Sequence, residues 1–436
     1  MKDERDDPIP LFRLPRGLGP LGYRNFGLYF LGQVGTNAGN WMEQTAVVWV
    51  LYQLTGSALL LGLVGIARAV PFFVFSPIAG MLSDRIDQRK MLYVTQGSGA
   101  LTSLALGILV ATGHVQAWHV YLQVFLQTSI SAFDAANRQS LFPRLVPRSR
   151  IAASVTLNST AARASNVVGP AVAGVLLASI GDAAPFFANA ATFLLLMGAV
   201  ALMRDVPAQA PRARPSMRGE FREGVAFMFH SPVLVAVLKL AAVYSLFSAN
   251  PVIIAVVARQ VLGTGALGLG QLLSAPGLGA LLSGAVLLYV DPSRRQGAVL
   301  YASAIGYVAA LLLFAASHTF ALSLVALVAV GFLNALFAIT RASIVQLAAP
   351  PKMRGRIIGN ALTINRGFGP LAQTESGSLA AFVGAPLALV GGAAAIAIAV
   401  AASLVGDPQL RSFGRERASA LAAETASEAP AGETVV

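Results

Sequence analysis

Six of the ionisable side chains inside runs of apolar residues long enough to cross a bilayer are candidates for chemistry: Glu43, Arg68, Arg163, Lys239, Arg366 and Glu375. A charge in such a place is costly, and it marks a water-filled cavity, a buried partner or the path of an ion. Glu43 stands in GNWMEQTAVVWV. Before and beside it Gln33, Asn37, Asn40 and Gln44 recur at intervals of four, three and four, with Thr36 and Glu43 alongside. One face of a single helix is therefore polar across its middle. Ser159, Arg163 and Asn166 repeat the pattern on a second run, and Thr363, Arg366 and Gln373 on a third. Three aligned stripes predict an aqueous cavity; isolated interhelical hydrogen bonds are the plainer account of any one of them.

Depth sharpens the chemistry. At about 1.5 Å per residue Glu43 lies roughly 18 Å before the turn near Thr55–Gly56, and Arg68 roughly 18 Å after it. Arg163, about 20 Å along its own run, reaches a similar level. A carboxylate there can titrate in proton coupling, its charged form favoured by a nearby arginine and its neutral form by desolvation. It can equally form a fixed ion pair with Arg68, or touch a substrate. Arg366 and Glu375 are nine residues apart and face opposite sides of one helix. Lys239 sits near a helix end and can snorkel to the surface.

The elements that position these groups follow from composition: 56% hydrophobic and 11% charged residues, with a mean hydropathy of +0.69. That is an all-α membrane protein. Apolar runs at 27–53, 58–82, 90–112, 117–138, 151–179, 184–203, 232–260, 266–290, 297–316, 319–345, 355–380 and 385–405 predict about twelve spans. The longest connection divides them into two six-helix bundles, 27–204 and 232–405. Residues 1–26 lead in, and 205–231 form a central loop in which Phe221, Val225, Met228 and Phe229 mark a short amphipathic helix. Residues 406–436 form a tail without apolar runs, expected to be disordered.

Loop charge alternates. Arg85, Arg89, Lys90, Arg144, Arg148, Arg150, Arg212, Arg294, Arg295, Lys352, Arg354 and Arg356 share one side, whereas Arg259 is the lone candidate on the other. The positive-inside rule then puts both termini in the cytoplasm of a multi-pass inner-membrane protein. The net charge of +12 lies in these loops and does not imply nucleic acid. With no cysteine and four scattered histidines, neither disulfides, a metal site nor any other cofactor is expected. The N-terminus has no signal-peptide core.

Gly80 to Leu92 reads GMLSDRIDQRKML, an acid and several bases at the end of a hairpin. This resembles the signature loop between the second and third helices of the major facilitator superfamily. Gly80, Asp84, Arg85, Arg89 and Lys90 match, whereas Asp87 and Gln88 stand where Gly and Arg are usual. The resemblance implies a cytoplasmic gate, with Asp84 meeting the helix that starts near Arg354 and Asp134 pairing with the loop arginines. SNVVGPAVAG is similar to the fifth-helix motif of exporters: Gly169, Pro170 and Gly174 fit, Ser165 and Ala173 do not. Longer phrases, among them GPAVAGVLLASIGDAAPFFANAATF and RGRIIGNALTINRGFGPLAQTESGSLA, resemble the enterobactin-exporter-like, or transmembrane secretion effector, branch. A fourth-helix arginine motif is not recognisable, and Asn40 stands where branch members often carry Asp.

No G-x-x-x-x-G-K-[ST] loop is present, so uphill transport would draw on an ion gradient. The expectation is a proton-coupled exporter of an amphipathic small molecule, siderophore- or drug-like, acting as a monomer by alternating access in contact with membrane lipid. Excess arginine over acid at the cavity favours an anionic substrate. Uptake by the same fold and lipid flipping are the alternatives; scattered histidines argue against a membrane enzyme.

Overall fold

A computed structural model describes residues 17–82, 87–141, 144–204, 226–229, 231–287, 289, 295–350 and 353–414. The apolar runs fold as helices, because in lipid every backbone group must be satisfied within its own segment. They are α1 (Arg24–Thr55), α2 (Ala58–Leu82), α3 (Gln88–Ala111), α4 (Ala117–Leu141), α5 (Ile151–Ser179) and α6 (Ala184–Ala201). After residues 226–229 follow α7 (Pro232–Leu246), α8 (Pro251–Gln260), α9 (Ala266–Leu287), α10 (Gln296–Ala315), α11 (Phe320–Ala348), α12 (Arg354–Val383), α13 (Ala385–Gly406) and α14 (Pro408–Arg411).

Among the described residues nine segments are long and apolar enough to cross a membrane, Pro232–Gln260 joining α7 and α8. α1, α4 and α12 are not in that set although they are 32, 25 and 30 residues long. Their polar residues lower the mean hydropathy; α4 alone carries Gln123, Gln127, Asp134 and Arg138. At about 1.5 Å per residue each is nonetheless long enough for a ~30 Å hydrocarbon core.

The run expected to be one span at 232–260 is broken at Phe247–Asn250, and side chains satisfy the break. Asn250 Oδ1 accepts from the Val252 and Ile253 amides at 3.0 and 3.4 Å, capping α8. Its Nδ2 donates to the Ala372 carbonyl and Ser376 Oγ, and the Ala249 amide donates to the Tyr307 hydroxyl at 2.8 Å. Gly56, at φ 61°, ends α1 in the left-handed conformation that glycine takes without strain.

Helices α1–α6 pack among themselves and α7–α13 among themselves; the main contacts between the groups are α2 with α12 and α5 with α9. Each of these four helices carries an internal proline: Pro71 and Pro77, Pro370, Pro170, and Pro276. Proline withdraws a backbone donor and bends a helix, and glycines let the bent helices touch. A Cβ on Gly174 would strike Gly270, and one on Gly62 would strike Gly377, backbone against backbone. Thr374 Oγ1 donates to the Gly62 carbonyl at 3.0 Å across the second contact.

These contacts lie toward one end. At the other, where α1 begins and α3 starts, sit Arg89, Lys90, Arg148, Arg150 and Arg204, and we call it the basic end. The α5 face that meets α9 through Val167, Pro170 and Gly174 continues toward the basic end as Arg163, Ser159 and Thr156, which are all exposed. A Cβ on Gly284 of α9 would find open space there, whereas one on Gly277 would meet Asn166 and Val167. The two helices touch at the far end and part at the basic end, leaving a cleft.

The stretch after residue 406, expected to be loose, docks as far as it is described. Leu410 and Phe413 are buried, and the Gly297 amide donates to the Phe413 carbonyl at 3.0 Å. Two apolar side chains covering the start of α10 are enough to hold it. The central loop outside residues 226–229, and the tail beyond 414, lie outside the described residues.

Candidate substrate cleft and its buried carboxylate

Glu43 does not point into the cleft. Its side chain turns into the first group of helices, where it is 4% exposed. There it accepts hydrogen bonds from Ser103 Oγ of α3, Gln123 Nε2 of α4 and Asn189 Nδ2 of α6, the last at 2.6 Å. Asn189 Nδ2 also reaches Ser103 Oγ at 3.3 Å. Neutral donors from three helices thus converge on one carboxylate supplied by a fourth. Arg68 is near enough for its charge to attract that of Glu43. Even so, no ion pair joins the two, and Arg68 has no hydrogen-bond partner among the described residues. Of the readings left open by spacing, the contact ion pair is therefore not the one seen.

The rest of the α1 stripe divides by face. Asn40 Oδ1 accepts weakly from Gln127 Nε2 at 3.5 Å, Asn37 and Gln44 are half-buried, and Gln33 is buried with its amide oxygen unpartnered. Thr36, next to Glu43 on the wheel, packs on α6 and donates to the Gly32 carbonyl. Asn37, Asn40 and Gln44 belong to one side, and Thr36 and Glu43 to the adjoining side. Asn166 is half-buried where α5 meets Gly277, Arg163 is exposed on the parted face, and Gln373 is buried on α12 against α2. Arg366 is placed in α12 by its backbone alone. Lys239 is exposed, and Glu375 accepts from Ser376 Oγ at 3.1 Å.

At the basic end the pairing differs from the expectation. Asp134 bonds Arg138 Nε of its own helix at 2.5 Å and Gln96 Nε2 at 2.8 Å. Arg89, one of the loop arginines expected to reach it, instead donates to the carbonyls of Val200, Ala201 and Met203 at 3.0–3.1 Å. The reason is geometric. The last carbonyls of α6 have no intrahelical donor, and a guanidinium meets several at once. Asp87, out of place in the signature loop, accepts from the Arg89 and Lys90 amides at 2.8 and 3.1 Å and caps α3. Gly80 lies in the last turn of α2 and Lys90 is exposed; Asp84 and Arg85 lie outside the described residues.

The fifth-helix motif is a packing device. A Cβ on Gly169 would meet Trp41 and the Ala38 carbonyl of α1, and Gly174 meets α9, so α5 is pressed between the two helix groups at Pro170. Ser103, Gln123 and Asn189 are groups that inspection of charges overlooks. Their signal was a polar residue in an apolar run, too common to single out before the fold gathers them. Arg341 is different: it stands inside the run at 319–345 and was legible as a buried charge.

A polar cleft between two groups of membrane helices, closed at one end by proline-bearing helices and glycine contacts, defines a major facilitator transporter. The profile of the transmembrane secretion effector family matches residues 16–426, and the chain belongs to that family. The multidrug efflux pump Tap of Mycolicibacterium fortuitum is 26% identical over 81% of this chain and 88% of its own length. The enterobactin exporter EntS of Citrobacter koseri is 26% identical over 70% of each chain. An uncharacterised transporter of Bacillus subtilis, YfiS, is 27% identical, and there the chain spans only 54% of the relative's length. Among solved structures, an inward-facing bacterial homologue of the lysosomal transporter Spinster superposes with a TM-score of 0.66 at 14% identity, covering 92% of this chain and 98% of that one. A POT family transporter superposes with a TM-score of 0.71 at 12% identity, covering 93% and 99%. At such identities the superpositions speak for the fold alone. The chain is a multi-pass membrane transporter of bacterial type, in a family of transporters and not of enzymes.

Proposed function

We propose that the protein is a proton-coupled exporter of amphipathic small molecules, siderophore- or drug-like, working by alternating access between two six-span bundles, residues 27–204 and 232–405. The observation that carries the coupling is the Glu43 carboxylate, sealed inside the first bundle among Ser103, Gln123 and Asn189, with Arg68 at hand but not paired. Three donors support the anion, and loss of one side-chain rotamer would favour the acid, so small movements of α3, α4 and α6 can bias its proton. Movement of the bundles about the cleft supplies such shifts.

The basic end is the cytoplasmic end in this reading, with both termini inside the cell, because arginines and lysines gather there. The substrate enters from that side, past Arg163, and meets Asn37, Asn40, Gln44, Arg68, Asn166, Arg366 and Gln373. Gly80, Asp84, Arg85, Arg89, Lys90 and Asp134 form the gate that closes behind it. Export is favoured by the likeness to the efflux pump Tap and the exporter EntS. We take the working unit to be a monomer in the plasma membrane.

The test is substrate-dependent proton flux in liposomes for the wild type and Glu43→Gln, with efflux and influx read separately in oriented vesicles. Loss of proton movement with retained substrate exchange is expected in the variant. Coupling that survives Glu43→Gln assigns Glu43 a structural role, and accumulation in the opposite sense overturns export.

A further inference from the structure

α11 is held between two neighbours, and its remaining faces differ in kind. Gly331 backs on Pro276 of α9, and Leu333 packs on Gly306 of α10. Of the two open faces, one presents Leu322, Val325 and Leu347, 40%, 63% and 38% exposed, as a lipid-facing surface should. The other presents exposed Asn334 and, two turns on, half-buried Arg341. An amide and a guanidinium on one face of a membrane helix do not look onto acyl chains, so this face looks into the cleft.

The guanidinium has a built platform. Arg341 lies over the Phe337 ring, 5.9 Å from its centre, and Phe337 stacks on Tyr244 of α7 at 4.1 Å and 7°. Tyr244 in turn packs on Tyr307 of α10 at 4.6 Å. The three rings are buried, so the platform is rigid and the cation is oriented before any ligand arrives. The buried hydroxyls of Tyr244 and Thr340, the residue before Arg341, have no hydrogen-bond partner among the described residues. Arg341 starts roughly 10 Å from the basic end of α11, and its side chain leans back along the helix toward Asn334.

We propose that Arg341 and Asn334 form an anion-recognising subsite in the second helix group, which captures the carboxylate or similar monoanion of an amphipathic substrate as it enters from the basic end. The proposal rests on the transport reading above and adds to it the residue that sets charge preference. A guanidinium fork fits a planar carboxylate in two-point contact, the Asn334 amide offers a further donor, and the ligand's apolar body is left to the cleft.

The experiment uses two probes that differ in charge alone, 2-naphthoate and 2-naphthamide, with binding to the full chain in nanodiscs measured by calorimetry. The wild type should prefer the anion. Arg341→Gln should lower naphthoate affinity at least tenfold and leave the amide unchanged, whereas Asn334→Ala should cost less and in the same direction. Arg341→Lys, which keeps the charge and so guards against misfolding of the neutral variant, should retain part of the preference. Equal binding of both probes by the wild type, or an undiminished preference in Arg341→Gln, overturns the subsite. Neither result bears on proton flux, so the transport reading stands or falls separately.

Discussion

Arg259 of α8 lies over the Trp49 ring of α1, 4.8 Å from its centre, and the same indole donates to Asp182 Oδ1 at 2.9 Å. The contact joins the two helix groups at the end opposite the basic one, beside the glycine contacts. It also accounts for the lone arginine on that side, which the charge rule alone leaves unexplained.

Breaking this clasp should loosen the far end. A cation over an indole at a partly exposed site is worth about 0.5–1 kcal/mol, so Arg259→Gln should shift the closed-to-open ratio by roughly two- to fivefold. The chain has no cysteine, so Ala58→Cys is a reporter without background. Its labelling by a membrane-impermeant maleimide should speed up by that factor in the double variant, and an unchanged rate would refute the clasp.

Wedges at the glycine contacts should act more strongly. Gly377→Val and Gly174→Val each force a side chain into the backbone of the opposing helix. Protein of normal yield, with transport largely lost and Ala58→Cys labelling raised well beyond the Arg259→Gln level, is the expected result. Gly198→Ala is the control, because a Cβ there meets nothing within 4 Å. If the wedge variants transport at the wild-type rate, these contacts do not close the cleft.

Asn189 supports Glu43, and its removal should be felt in stability as well as in coupling. Asn189→Leu takes one donor from a buried carboxylate, a loss of about 1–3 kcal/mol. A lower unfolding temperature is expected, partly restored in Asn189→Leu with Glu43→Leu, where the carboxylate is gone too. Additive losses would mean that the two side chains do not share one network.

In the signature loop the ranking of basic residues should follow their partners. Asp87→Ala removes the α3 cap at about 1 kcal/mol. Arg89→Ala should also destabilise, because Arg89 holds three carbonyls at and just past the end of α6, whereas exposed Lys90→Ala should be nearly neutral in thermal unfolding. A larger loss from Lys90→Ala than from Arg89→Ala would contradict the capping role.

Much of the fold was legible in the chain itself. Hydropathy located the helices, although α1, α4 and α12 carry too many polar residues to stand out as spans, and the break at Phe247–Asn250 left no mark stronger than an Asn-Pro pair. Inside the helices the polar stripe of α1 was plain, but not that its members serve two surfaces. Glu43 and Asn40 are three residues apart, a turn of about 60° on the wheel, and that is enough to send one to Ser103, Gln123 and Asn189 and the other to Gln127. Likewise, the family resemblance paired Asp134 with the loop arginines, whereas Arg89 meets the carbonyls at the end of α6.

By itself the sequence determined that this chain lies in a membrane, which residues carry charge into it, and which helices bear the prolines and glycines of close contact. Those are local properties, set by side-chain transfer free energy and backbone freedom, and need no partner to be true. Only the tertiary structure decided that Ser103, Gln123 and Asn189 meet at Glu43, that Phe337 stacks on Tyr244, and that the helices touch at one end and part at the other. Each of these joins residues far apart in the chain. Hydrogen bonds and ring contacts act over a few ångströms, so no periodicity along one helix can specify them.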